Sequence, residues 1–157
     1  GHLEPDLTFC KGDQSANVMV VTERVTRYTM LVKNESKKAI GVMKKLFNTL
    51  ATLPEHMRKS VTFDNGTEFV HHRLVRDFLG MNTYFCDPHS PWQKGQVEKT
   101  NAMLHRFISK NTSLLTLDEN SLMDIQNRLN NIPRKILGYK TPAELFNQSL
   151  QGVALQT

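Results

Sequence analysis

Only two cysteines, Cys10 and Cys86, occur in the 157 residues, and neither sits in a Cys-x-x-Cys or mixed Cys/His spacing. This excludes a disulfide-stapled scaffold and a structural zinc site, and the pair His71-His72 has no cysteines near it. Two isolated thiols suit a reducing compartment and a buried packing role. No apolar run approaches the length of a membrane span and no signal peptide opens the chain, so a soluble, cytoplasmic protein is expected. Internal repeats and low-complexity linkers are also missing. At this length a single domain is expected, over residues 1–150, with 151–157 as a tail.

Enough apolar residues are present to build that domain: 39% of the chain is hydrophobic, sufficient for a sizeable core. Lys and Arg number 20 against 15 Asp and Glu, a formal charge of +5. The excess favours a polyanionic partner without establishing one, since many ordinary domains are mildly basic.

The apolar pattern changes period along the chain. Leu3 to Phe9 alternates as a strand, with His2, Glu4, Asp6 and Thr8 on one face and Leu3, Leu7 and Phe9 on the other. Asn17 to Thr22 and Tyr28 to Lys33 are predicted as a hairpin. Ile40, Met43, Leu46, Phe47 and Leu50 then share one helical face, and Pro54 ends that helix. Ser60 to Phe63 is a fourth strand. Leu74, Val75, Phe78 and Leu79 mark a short helix stopped by Gly80, and Thr83 to Cys86 is a fifth strand. A loop from Pro88 to Gly95 leads into a long helix reaching about Lys110. Capping boxes at Thr116/Glu119 and Thr141/Glu144 open two further helices. Three strands followed by alternating helices and strands describe an α/β layer around a mixed sheet.

Metal-assisted phosphodiester chemistry needs hard oxygen ligands that converge from separate elements. Three acids stand where convergence is possible. Asp6 lies mid-strand on the polar face of the first strand. Asp64 ends the fourth strand, before the turn residues Asn65 and Gly66. Glu98 falls in the first turns of the long helix, with 33 residues between it and Asp64. Each has an ordinary explanation. Asp64-Asn65-Gly66 reads equally as a plain turn, since Asn-Gly favours positive φ. Glu98 reads as a solvated residue at a positive helix end, and Asp6 as an exposed strand residue beside Glu4.

The surroundings shift the balance. Between Gln93 and Leu114 there are four basic residues, Lys94, Lys99, Arg106 and Lys110, and one acid, Glu98. At helical spacing Asn101 and His105 fall near the Glu98 azimuth, while Val97, Leu104 and Ile108 form the buried side. The preceding loop carries His89, Trp92 and Lys94. An aromatic and a cation beside a phosphate site suit a strand clamp, and Trp92 serves equally as an anchor of the loop on the core.

Four blocks resemble the insertion-sequence transposases of the IS-thirty family. They are His2-Leu3-Glu4-Pro5-Asp6-Leu7; Phe63-Asp64-Asn65-Gly66-Thr67-Glu68-Phe69; Tyr84 to Gly95 followed by Glu98-Lys99-Thr100-Asn101; and Pro133 to Glu144. Gly95-Gln96-Val97-Glu98 is also similar to the related retroviral integrase core. The chain departs from the family pattern at Leu3, where an aromatic is usual, and at Pro5, where a small residue is common.

The resemblance implies an RNase H-like fold, a five-stranded mixed sheet flanked by helices. It implies a polynucleotidyl transferase that cleaves DNA and joins 3′-hydroxyl ends, using two Mg²⁺ (or Mn²⁺) ions per site. Asp6 would bridge the ions, with Asp64 on one and Glu98 on the other. Asn65 and Gly66 would shape the turn that aims Asp64. His89, Trp92, Lys94, Lys99, Asn101, His105 and Arg106 are the expected DNA contacts, chiefly to phosphate. Glu4 and Glu68 are the acids most easily mistaken for ligands. The implied partners are element ends and target DNA, and further copies of the chain in a dimer or larger assembly. The implied location is the nucleoid of a bacterial cytoplasm. The family's N-terminal helix-turn-helix region lies outside this sequence, as expected for part of a longer protein. A nuclease on the same fold, a DNA-binding module without catalysis, and a domesticated relative remain as alternatives.

Overall fold

The computed structural model describes residues 1–10, 16–87, 95–108, 113–114 and 116–152. Five strands form one sheet: β1 (His2–Thr8), β2 (Asn17–Glu23), β3 (Thr29–Asn34), β4 (Ser60–Phe63) and β5 (Asn82–Phe85). Their order is β3-β2-β1-β4-β5. The first three strands meander antiparallel, and β4 and β5 are added parallel to β1. The helices are α1 (Ala39–Ala51), α2 (Arg73–Leu79), α3 (Gly95–Leu104), α4 (Glu119–Asn130) and α5 (Pro142–Leu150). The mixed five-stranded sheet between helices is the architecture that the element order predicts.

The central place of β1 explains its burial. A strand covered on both faces hides its polar side as well as its apolar one. On one face Leu3, Met19, Val21, Val61 and Phe63 pack with Val42, Met43, Leu46 and Leu50 of α1. On the other, Val18, Val20 and Leu31 pack with Val97 and Leu104 of α3 and Leu122 and Leu129 of α4. The supposed polar face of β1 is therefore partly enclosed, with Glu4 1% and Thr8 7% exposed, while Asp6 is half-buried and His2 exposed. Glu4 survives there because Arg24 Nε meets its Oε1 at 2.9 Å. Phe9, expected inside, lies beyond the strand and is exposed.

The edge at β3 is covered by polar side chains of α4. Asn130 accepts from the Thr29 N–H at 2.8 Å and donates to the Thr29 carbonyl at 2.7 Å. Gln126 accepts from the Leu31 N–H at 2.8 Å. These amides take the bonds that a sixth strand would otherwise make. At the far side of the sheet Tyr28 stacks on Phe146 of α5, with ring centroids 3.9 Å apart.

Several local expectations need correction. In α1 the buried residues are Val42, Met43, Leu46 and Leu50, while Ile40 is exposed, because it stands in the first turn, past the sheet's cover. The cap of α4 is Asp118, whose carboxylate accepts from the Ser121 N–H at 2.6 Å, and not Thr116. Thr116 instead donates to the Ser113 carbonyl. The α3 helix ends at Leu104 and continues as turns to Ile108, short of Lys110, which lies outside the described residues. The Thr141/Glu144 box and the Gly80 cap, at φ 65°, form as expected.

Candidate active site

Register places the first two acids. His2 lies opposite Ser60 and Leu3 opposite Val61 in the parallel pair β1–β4. Carried forward three residues, the same register sets Asp6 level with Asp64, just past the end of β4. Both side chains then point to the α3 side of the sheet, because residues two apart share a face. Val20, the antiparallel partner of Asp6, packs in the α3-side core, in agreement.

Proline shapes this segment. The Arg24 N–H bonds the His2 carbonyl at 2.8 Å, and the Gly1 carbonyl accepts from Ser60. Even-numbered backbone groups of β1 therefore face β2, and odd-numbered ones face β4. Pro5 is odd and has no N–H, so the donor for the next rung to β4 is missing. The paired rungs stop at Leu3.

The third acid comes from α3, with Glu98 exposed in its first turn. One turn later on the same stripe stands Asn101, since residues three apart on a helix are neighbours. Asn101 Nδ2 donates to Asp6 Oδ2 at 2.6 Å. On the buried side, Thr22 Oγ1 donates to Thr100 Oγ1 at 3.4 Å, fixing α3 on the sheet. Asn101 thus ties the Glu98 stripe to the first acid. The resemblance implies Asn101 as a DNA contact, and in the fold its amide nitrogen bonds Asp6. The signal available in the sequence was its i+3 spacing from Glu98.

Asp64 is held by its own turn: Oδ1 accepts from the Gly66 N–H at 2.9 Å. Asn65 Nδ2 donates to the Cys86 carbonyl at 3.0 Å, pinning the turn to the end of β5. Both turn residues therefore shape the setting of Asp64. The reason for glycine differs from the expectation, since Gly66 has φ −65° and ψ 140°, open to any residue. What it supplies is room, because a Cβ there would come within 2.6–2.7 Å of the Glu68 carboxylate. Glu68 therefore folds over the turn, a packing that the sequence does not disclose.

Of the other expected residues, Lys99 and Arg106 are exposed, and His105 is half-buried with Nδ1 enclosed. His89, Trp92 and Lys94 lie outside the described residues. Glu4 is consumed by its ion pair with Arg24.

The donor set suits a divalent cation in kind: carboxylate oxygens from two neighbouring strands and a helix on one side of the sheet. Among the described residues, no three His, Cys, Asp or Glu side chains stand close enough together to hold an ion. Asp6 and Asp64 are each held by a protein donor.

No protein-family model matches the chain. Curated relatives do. It is 37% identical over 155 residues, 99% of its length, to the transposase InsI for insertion sequence element IS30A of Escherichia coli, covering 39% of that protein. It is also 37% identical over 150 residues, 96% of its length, to the transposase for IS1086 of Cupriavidus metallidurans, covering 44% of that protein. The chain thus spans less than half the length of these relatives. Among solved structures, the catalytic core domain of BIV integrase superposes with a TM-score of 0.71 at 19% identity, covering 96% of both chains. A simian T-cell lymphotropic virus intasome, in complex with a PP2A regulatory subunit, gives a TM-score of 0.72 at 19% identity. It covers 92% of this chain and 53% of that one. The fold is therefore that of the retroviral integrase cores, RNase H-like, and the four-block resemblance extends along the chain.

Proposed function

We propose that this chain, a relative of the IS30-family transposases, is the catalytic core that cuts DNA and joins 3′-hydroxyl ends during transposition. The observation that supports this is the bond from Asn101, one turn after Glu98 on α3, to Asp6 on the strand beside the one that Asp64 follows. Whole-length similarity to proteins named as transposases supports it. Residues 1–150 would form the working unit, with 151–157 as a tail.

Asp6, Asp64 and Glu98 would hold two divalent cations, Mg²⁺ or Mn²⁺. When bound, such ions lower the pKa of an attacking hydroxyl and neutralise charge on the phosphate. The chain's residues do the rest. Asn101 orients the Asp6 carboxylate. The Gly66 N–H occupies Asp64 Oδ1 and fixes the carboxylate plane, while Asn65 anchors the turn. Exposed Lys99 and Arg106, with His89, Trp92 and Lys94, would contact the DNA backbone and position it without reading sequence. His105 would support the same surface from the turn after α3. The partners would be element ends, target DNA and further copies of the chain, in the nucleoid of a bacterial cytoplasm. A helix-turn-helix segment N-terminal to this region would supply end recognition.

Joining of a pre-cut oligonucleotide with a free 3′-hydroxyl to a target duplex tests the proposal. Joined product with wild type and none with Asp64→Asn is the expected result. Hydrolysis without joining would instead make the chain a nuclease, and DNA binding without any cleavage would make it a non-catalytic module.

A further inference from the structure

Behind the Asp64 turn lies a pocket of about 430 Å³ that the proposed chemistry does not use. Asn65 and Gly66 form one wall, and Phe69, Val70, His72 and Phe85 line the rest. Its volume falls in the range of small-ligand sites, about 300–1,000 Å³. The lining is largely apolar, yet it opens to solvent: Phe85 is 42% exposed and Val70 61% exposed.

The exposed ring is held firmly. Phe85 packs on Phe63 at 5.6 Å between centroids and meets His72 edge-on at 4.7 Å. The Asn65–Cys86 bond fixes the backbone immediately after it. A rigid, half-exposed aromatic face is a stacking platform with little ordering cost. Arg73, next to His72, is exposed and carries a positive charge, while the Glu68 carboxylate lies against Gly66.

We propose that this pocket receives one unstacked nucleobase of the bound DNA strand, with Phe85 as its stacking surface. The proposal rests on the DNA-joining reading of the site. It commits to a base because the same turn carries Asp64 on one side and walls the pocket on the other. Asn65 and Gly66, next to Asp64, line the pocket, so a strand held at that turn meets the pocket wall, and exposed Arg73 suits its backbone. Stacking on an aromatic tolerates any base, so the pocket would hold the strand without reading sequence.

The test uses this chain and a single-stranded oligonucleotide carrying 5-iodouracil, with binding followed by fluorescence anisotropy. After irradiation, crosslinks are mapped by mass spectrometry. A crosslink at Phe85 or His72 is expected. Phe85→Leu keeps apolar bulk but removes the ring, and should weaken binding by about 5-fold or more. Wild type should also bind an intact oligonucleotide better than one with an abasic position, a preference that Phe85→Leu loses. Val70→Asp, at an exposed position, should weaken binding similarly without touching the core. Oligonucleotide bound normally, with crosslinks elsewhere and both variants unchanged, overturns the pocket and leaves the joining reading intact. No binding by wild type overturns both.

Discussion

Asn101 and Asp6 are 95 residues apart in sequence, and the amide of one donates to the carboxylate of the other at 2.6 Å. The bond crosses from α3 to the central strand and sets the rotamer of the first acid. Asn101→Ala should fold, since the residue is only half-buried, and lower the DNA-joining rate by about 10–100-fold, as loss of a ligand's supporting partner typically does. Asn101→Asp should be worse, because it sets a second negative charge against Asp6. Joining rates beside thermal unfolding curves separate this from instability. An unchanged rate in Asn101→Ala would show that Asp6 needs no support.

The cation site has a direct assay. Calorimetric titration with Mn²⁺ should show binding to wild type and a loss of that heat in Asp64→Asn. Equal heats in both would move the metal away from this carboxylate. If neither binds, the acids gather only on DNA, and the titration repeated with a bound oligonucleotide should then show the difference.

Two glycines should respond in opposite ways to alanine. Gly80 caps α2 at φ 65°, and nothing lies within 4 Å of the position of an added Cβ, so Gly80→Ala meets only backbone strain of about 1–2 kcal/mol. Gly66→Ala meets no strain, and the mobile end of Glu68 can move aside. Its stability should change by less than about 0.5 kcal/mol, while activity falls as the Asp64 turn shifts. Urea denaturation reads the first effect and the joining assay the second. Removing Glu68 in a Gly66→Ala/Glu68→Ala double variant should restore part of the activity.

Asn130 closes the β3 edge with both atoms of its amide, and only 2% of it is exposed. Asn130→Ala strands the Thr29 N–H and carbonyl, at about 1–3 kcal/mol each. Chemical denaturation should show that loss. Asn130→Asp keeps an acceptor for the Thr29 N–H but sets a carboxylate against the Thr29 carbonyl, so it should not restore stability.

Acid should weaken the fold through Glu23. Burial pushes its carboxyl up, but bonds from the Thr26 N–H and hydroxyl outweigh this and hold it below the usual glutamate value. A depressed folded pKa contributes stability above the unfolded value, which is lost as pH falls through the folded one. Thermal midpoints should therefore decline below about pH 4.5, and Glu23→Gln should make that decline shallower while lowering stability at neutral pH. A decline of equal slope in the variant would assign acid sensitivity to other groups.

The periodic segments were legible because burial imposes a period on them. The hairpin of β2 and β3, the Gly80 stop and the Thr141/Glu144 box all follow from local chemistry. The placing of Asp64 just past a strand and of Glu98 in the first turn of a helix was legible from the element pattern. What was hidden depended on partners remote in sequence. The polar alternation of β1 pointed to a wet face, and only the arrival of α3 encloses part of it. Asn101 read as a surface donor until the fold brought it to Asp6. Gly66 read as a turn former, whereas its lack of a side chain accommodates Glu68 two residues on. Phe85 read as a strand residue, and only the packing of His72 and the Asn65 turn makes a pocket beside it.

Pro5 carries a consequence for the geometry of the acids. The paired register with β4 ends at Leu3, three residues before Asp6, and Pro5 removes one donor from the ladder between them. The first acid therefore rides on a strand end held more by β2 than by β4, like the free arm of a caliper.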